Sequence, residues 1–221
     1  MSCIAVIVAA GSGKRAGELL PKQFCPLNGR AVLWHAVQPF LRHPLVDEVR
    51  VVVADNDAAL LAGDILSGLA VVILPHGGKN RAQTVANGIV DCADDDWILS
   101  HDAARPCLDD GMLERLITRV KDDSVGGILA LPVSDALKEG GDGRVLRTLL
   151  RAGKWLAQTP QMFRAEPLRA ALAKFPDAAD EAEAMVGAGF SPLLVEGAVS
   201  NIKITVAEDF AAASLLAAIP R

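Results

Sequence analysis

Residues 3–22 read CIAVIVAAGSGKRAGELLPK. The run from Cys3 to Ala9 is apolar and partly β-branched, the composition of a strand buried on both faces. Ala10, Gly11, Ser12 and Gly13 then interrupt it, and the chain turns. Residues this small let the backbone approach a ligand and adopt positive φ, so successive N–H groups face one concavity and cradle an anion. Lys14, Arg15 and Lys22 add three cations within a turn or two, which makes the stretch read as a polyphosphate site. An ordinary strand-to-loop turn with solvated cations carries the same small residues. The pattern is also neither of the commonest phosphate loops: position 16 is Ala, so Gly-x-Gly-x-x-Gly is missing, and no Gly-Lys-Ser/Thr closes a Walker loop. The rest of the chain decides between the two readings.

With 221 residues and 51% hydrophobic content, the chain is long enough for one large α/β domain with a full core. The net charge is −5, the isoelectric point is near 5.4, there is no tyrosine and only 4% of residues are aromatic. A nucleic-acid groove needs a basic surface and stacking platforms, so the cations near the first loop suit a small anionic ligand instead. Cys3, Cys25, Cys92 and Cys107 stand far apart without C-x-x-C spacing, and Cys3 and Cys92 sit in apolar runs as small core residues. Neither a secretory n-region and h-region nor an apolar run of spanning length is visible. The expectation is a soluble cytoplasmic protein that binds neither nucleic acid nor membrane.

Along the chain, helices are expected at 32–41, from a cap at Asp55 or Asn56 to Leu66, at 80–92, and at 110–121; strands are expected at 49–54, 71–74, from Trp97, and at 127–133. Leu27-Asn-Gly-Arg30 reads as a turn. Strand and helix alternating with short connections make a parallel sheet, which binds ligands at the carboxyl ends of its strands. The first loop, Gly77-Gly78 and Asp102 to Arg105 all fall at such ends and can meet in one crevice. Between Ser134 and Trp155 the pattern breaks: Glu139-Gly-Gly-Asp-Gly143 is a turn between segments with a hairpin look, read as an intersubunit arm. Residues 158–163 are extended, helices follow at 167–174 and 180–187, and strands at 193–195 and 201–205 precede a last helix at 207–219. A single domain, 1–221, with an arm at 134–155 is expected.

Four motifs then agree: Ala9-Ala-Gly-Ser-Gly-Lys-Arg15 with Pro21-Lys22-Gln23, His101-Asp-Ala-Ala-Arg-Pro106, Thr159-Pro-Gln-Met-Phe163, and Asn201-Ile-Lys-Ile-Thr205. In this order, over nearly the whole chain, they resemble the 2-C-methyl-D-erythritol 4-phosphate cytidylyltransferases of the non-mevalonate isoprenoid pathway. The resemblance implies a Rossmann-like nucleotidyltransferase fold, a mostly parallel twisted sheet with helices on both faces and a projecting β-arm. It further implies a homodimer joined by that arm, CTP as substrate, Mg²⁺ or another divalent cation, and pyrophosphate as leaving group. By the same resemblance, Ala9, Ala10, Gly11 and Gly13 lie against the nucleotide, with Arg15 and Lys22 on the triphosphate. Gly78 and Thr84 match the segment that reads cytosine, and Asp102 and Ala103 lie at the ribose and the metal. Arg105 and Thr159 lie near the methylerythritol phosphate, Lys203 reaches the reacting phosphate, and Arg151 is offered to the neighbouring subunit's substrate.

The chemistry is argued separately. A phosphate monoester has a second pKa near 6, so the attacking oxygen is already largely an anion at neutral pH and needs no general base. The barrier is repulsion between a phosphate dianion and a triphosphate, followed by charge on the departing pyrophosphate. Cations, Mg²⁺ and backbone N–H groups lower it by positioning and electrostatics. Arg15, Lys22 and Lys203 are the candidate catalytic groups. His101 invites pairing with Asp102, but neighbours on a strand point to opposite faces, and a structural role is expected. Asp180-Glu181 reads as the acidic first turn of a helix rather than a metal pair. Lys203, inside an apolar segment, must find an anion or reach water.

The chain departs from the family at Ala179 and Ala136, where Thr is common, and at Lys79, where some members are acidic. These changes touch the arm's share of substrate recognition and leave the CTP half intact. A ribitol-5-phosphate cytidylyltransferase carries similar motifs, a non-catalytic nucleotide-binding regulator is the alternative of a different class, and UTP or GTP is open as the donor. Some members are fused to the cyclodiphosphate synthase of the same pathway, so fusion to, or association with, that enzyme is also implied.

Overall fold

The computed structural model describes residues 1–11 and 20–218; Gly13 and Arg15 therefore lie outside the described residues. Strand β1 (Cys3–Val8) is an interior strand of a seven-stranded sheet. A short Asn28-Gly29 hairpin joins β2 (Pro26–Leu27) to β3 (Arg30–Ala31), both turn residues at positive φ as that turn demands. Then follow α1 (Val32–Arg42), β4 (Glu48–Val52), α2 (Asn56–Ile65), β5 (Val72–Leu74), α3 (Arg81–Gly88), β6 (Trp97–Asp102), α4 (Asp110–Val120) and β7 (Gly126–Pro132). The second half adds β8 (Leu137–Gly141), β9 (Arg144–Leu149), β10 (Trp155–Arg164), α5 (Ala165–Lys174), α6 (Glu181–Gly187), β11 (Leu193–Glu196) and α7 (Asp209–Ala217).

The main sheet runs β11-β7-β10-β6-β1-β4-β5, parallel except for β10, which pairs antiparallel with both β6 and β7. From β1 the chain winds outward through β4 and β5, then returns to lay β6 on the other side of β1. Strand order reverses there, and although the two strands stay paired to Val8 and Asp102, the chain leaves a crevice beyond their carboxyl ends. Alternation along the strands assigns the two faces. Ala5 and Ile7 of β1 and Leu99 of β6 join the core formed with Leu33, Val37 and Phe40 of α1 and Leu113 and Leu116 of α4. Ile4, Val6 and Ile98 join a second core with Val85 of α3, Leu168 of α5 and Met185 of α6. The mostly parallel, two-faced α/β sheet expected from the sequence is the one observed.

Strands β8 and β9 pair only with each other among the described elements, turning at Asp142-Gly143, and carry exposed Val145 and Leu146 away from the main sheet. The projecting hairpin is therefore present.

Two expectations are corrected. Helix α3 is shorter than its periodicity: Ile89 and Cys92 are buried, but they lie beyond its end at Gly88, where a Cβ would stand 2.7 Å from Val52 and 3.0 Å from Val6. Residues 201–205 are no strand. Their backbone groups are used one by one: Ile204 N–H donates to Ala104 O (2.8 Å), Asn201 O accepts from Arg105 Nη1 (2.6 Å), and Ile204 O accepts from Lys22 Nζ (2.5 Å). Cations of the site have taken carbonyls that a neighbouring strand would otherwise pair. The buried Asn201 side chain completes the anchor, donating through Nδ2 to Thr159 O at 2.8 Å. Replacing Asn201 by Ala leaves that buried carbonyl without its donor. Urea unfolding of Asn201→Ala is expected to show a loss of about 1–3 kcal/mol, and an unchanged midpoint would refute the anchor.

Candidate active site

A cavity of about 480 Å³ opens at the carboxyl ends of β1 and β6. Val8, Ala10 and Gly11 form one wall, Gly78, Lys79, Asn80, Arg81 and Thr84 another, and Asp102, Ala103, Ala104, Lys22 and Lys203 the floor and far side. The first loop is braced by Gln23, whose Nε2 donates to both Ala9 O and Gly11 O at 2.8 Å. On the opposite wall the chain comes too close for any side chain: a Cβ at Gly78 would lie 2.4 Å from Gln83 Cβ and 2.8 Å from the Thr84 nitrogen. The Gly78 N–H donates to Thr84 Oγ1 (3.0 Å), whose own proton goes to Asn80 O (2.8 Å), so the wall is rigid.

Asp102 is the centre of charge. Its Oδ1 lies 2.7 Å from Arg81 Nε and its Oδ2 2.7 Å from Lys203 Nζ, with Arg105 Nε at 3.9 Å. Burial alone raises a carboxyl's pKa, but Arg81 and Lys203 overcome it and hold Asp102 well below the usual carboxylate range. Arg81 in turn reaches Glu181, Nη1 to both carboxylate oxygens at 2.6 Å, and Glu181 is fully buried. Burial works against the Arg81 charge, and the two carboxylates more than restore it.

Two of the candidate cations, far apart in the chain, meet at this cavity. Lys22, on the short 3₁₀ helix Lys22–Phe24, rests on the carbonyl of Ile204, and the neighbouring Lys203 lines the same cavity. The cavity also brings together Ala10, Gly11, Gly78, Thr84, Asp102 and Ala103. Ala9 lies just behind, its carbonyl held by Gln23. Arg105 and Thr159 are buried in the layer beneath: Arg105 grips Asn201 O, while Thr159 Oγ1 accepts from the Asp102 N–H (3.1 Å) and lies 3.1 Å from His101 Nδ1. A register shift between Ala157 and Gln161 of β10 aims Thr159 at the end of β6. Arg151 is exposed at the base of the hairpin, away from the cavity walls.

Sequence reasoning missed Arg81, Glu181 and Gln23. Arg81 had a signal, since a cation in the first turn of a helix opposes the dipole and needs carboxylates to compensate. Asp180 does cap its helix, accepting from Glu183 N–H at 2.8 Å, but Glu181 turns inward. His101 points away from Asp102, against Phe40, and burial depresses its pKa to about 4.

This sheet, with a crevice beyond its strand ends that Lys22 and Lys203 line, has the fold of a Rossmann-like α/β nucleotidyltransferase. The chain belongs to the 2-C-methyl-D-erythritol 4-phosphate cytidylyltransferase (IspD) family, whose model matches residues 3–218. It is 48% identical to the enzyme of that name from Chromobacterium violaceum, covering 97% of each chain, and 50% identical to that of Bordetella pertussis, covering 95% of this chain and 96% of the relative. Among solved structures it is similar to a 4-diphosphocytidyl-2C-methyl-D-erythritol synthase (38% identity, TM-score 0.85, 97% and 98% of the two chains) and to the Francisella tularensis enzyme (31%, 0.83, 98% and 100%). The bifunctional IspDF of Campylobacter jejuni, 22% identical with a TM-score of 0.83, shares the fold over 96% of this chain and 54% of its own.

The buried His101 makes a pH prediction. Its folded pKa, about 4, lies below the 6.5 of an unfolded histidine, so the proton favours the unfolded chain. That contribution is whole above pH 6.5 and falls away toward pH 4, by about 3 kcal/mol at most. Asp102, also depressed, loses its share only at lower pH, below the ordinary carboxylate range. Thermal unfolding measured between pH 7 and 4 is expected to show the decline, and His101→Asn to flatten it. An unchanged slope in the variant would rule out His101 as its source.

Proposed function

We propose that the protein transfers CMP from CTP to 2-C-methyl-D-erythritol 4-phosphate, giving 4-diphosphocytidyl-2-C-methyl-D-erythritol and pyrophosphate in the non-mevalonate isoprenoid pathway. The observation that carries the reading is that Lys22 and Lys203 line the same cavity as the small residues of the first loop. In the reaction, an oxygen of the phosphate monoester forms a bond to the α-phosphorus of CTP. The bond from that phosphorus to the bridging oxygen breaks, and the electron pair leaves with pyrophosphate. No proton needs to be removed, because the monoester is already ionised. What the chain supplies is positive charge around the phosphorus: Lys22 and Arg15 toward the triphosphate and Lys203 toward the incoming phosphate. Asp102 keeps Lys203 extended into the cavity, and Gly78 and Thr84 bound the space for the base.

Asp102 is the carboxylate among the described lining residues, and no group of three or more His, Cys, Asp or Glu side chains is gathered there to hold an ion unaided. Such a donor set fits Mg²⁺, which is commonly held by one or two carboxylates together with substrate phosphates. Asp102 would hold it with the triphosphate, and the ion would neutralise charge on the phosphate oxygens. Arg105 and Thr159 act from beneath the floor, fixing Asn201 and the end of β6 beside the second substrate. A cytoplasmic location belongs to the same reading, supported by four buried cysteines and by the lack, among the described residues, of a helix long and apolar enough to cross a membrane. So does association with the cyclodiphosphate synthase, for which the bifunctional relative is the support.

Pyrophosphate release over a matrix of CTP, UTP and GTP against methylerythritol and ribitol phosphates is the direct test. Release is expected with CTP and 2-C-methyl-D-erythritol 4-phosphate, and Lys203→Met is expected to lower kcat by about 100-fold, or 3 kcal/mol. Activity with ribitol 5-phosphate alone, or CTP binding without release, overturns the reading.

The hairpin is proposed to join two copies, each arm bringing Arg151 toward the other's substrate. Its support is the apolar surface that it leaves in water: Val145 is 66%, Leu146 65% and Leu150 77% exposed. Sedimentation is expected to give a dimer for the unaltered protein and a monomer for the Val145→Asp, Leu146→Asp variant; equal masses would refute the arm's role.

A further inference from the structure

We infer that Glu181 is a positioning residue for phosphoryl transfer: by engaging Arg81, it confines that guanidinium to one oxygen of Asp102 and leaves the other to Lys203. The inference rests on the functional reading above. A guanidinium beside a carboxylate ordinarily takes it side-on with two parallel N–H bonds. Arg81 does not. Only Nε reaches Asp102, at 2.7 Å from Oδ1, while Nη1 is held 2.6 Å from both oxygens of Glu181. Asp102 Oδ2 is therefore open to Lys203 Nζ at 2.7 Å.

Glu181 is itself fixed from below. Ser100 Oγ donates to its Oε2 at 2.7 Å, and Ser100 lies two residues before Asp102 on the same face of β6. One strand thus sets the spacing between the clamp and the carboxylate that it governs. Helix formation does not account for this burial. Asp180 already supplies the cap, and an exposed acid at position 181 would serve the helix dipole equally well. A carboxylate without any solvent contact is instead costly unless fully paired, and the side-chain bonds of Glu181 lead to Arg81 and to β6. Two carboxylates, Asp102 and Glu181, stand against Arg81 and Lys203, with Arg105 Nε farther off at 3.9 Å from Asp102. Neutralising Glu181 releases Arg81 to close on both Asp102 oxygens and displaces Lys203.

Three variants test this with CTP and 2-C-methyl-D-erythritol 4-phosphate. The unaltered protein is assayed first, so silence there counts against the functional reading and not against this one. In active enzyme, Glu181→Gln is expected to lower kcat by about 10- to 100-fold, with KM for CTP moving less than about threefold. In the Lys203→Met background the same change should add less than about threefold, because its effect passes through Lys203; a merely structural loss would multiply. Ser100→Ala loosens the clamp without removing charge, and a loss of about three- to tenfold in kcat is expected at nearly unchanged melting temperature. It decides the matter if Glu181→Gln fails to fold. Full kcat in Glu181→Gln or in Ser100→Ala, or losses that multiply with Lys203→Met, would overturn the inference.

Discussion

The buried carboxylate of Asp102 is the constraint from which the site follows. A negative charge with 6% residue exposure cannot stand alone at the end of a strand, so its surroundings must deliver cations to it. They come from two separate elements: Arg81 from the start of α3 and Lys203 from the segment before α7. The carboxylate thus joins parts of the chain that no strand pairing connects. Removing its charge would leave two cations facing each other in a confined space, which explains why its proton affinity is so strongly depressed.

The fold supplies the place where this cluster can also meet a ligand. Because β6 is laid beside β1 after the chain has wound outward through β4 and β5, the strand order reverses between them, and the first loop and Asp102 line one crevice beyond their carboxyl ends. Alternation on β6 does the rest. His101 is sent into the core beside Phe40, and Ser100 and Asp102 to the face that receives Arg81 and Glu181. Adjacent residues in one motif therefore have unrelated duties.

Much of this was legible in the sequence. The apolar run into Ala10-Gly11 marks the central strand, periodicity places most of the helices, and Lys203 betrays itself as a cation in an apolar segment needing an anion. What was not legible depends on contacts between remote residues. Glu181 looks like any first-turn acid until β6 is brought beneath it. Gln23 has no pattern of its own, and its role comes from two carbonyls that the first loop leaves open. Residues 201–205 mislead because Ile-Lys-Ile alternates like a strand, whereas their carbonyls are claimed by Lys22 and Arg105 before any ladder can form.

The contact between Lys22 and Ile204 spans 182 positions of the chain. The strands whose ends bound the crevice, β1 and β6, belong to the first half of the chain. Lys203 and the carbonyl that receives Lys22 emerge about a hundred residues after Asp102, and only their docking on Ala104 and Arg105 completes the ring of charge. The hollow is thus framed by one half of the chain, and its ring of charge is closed by the other.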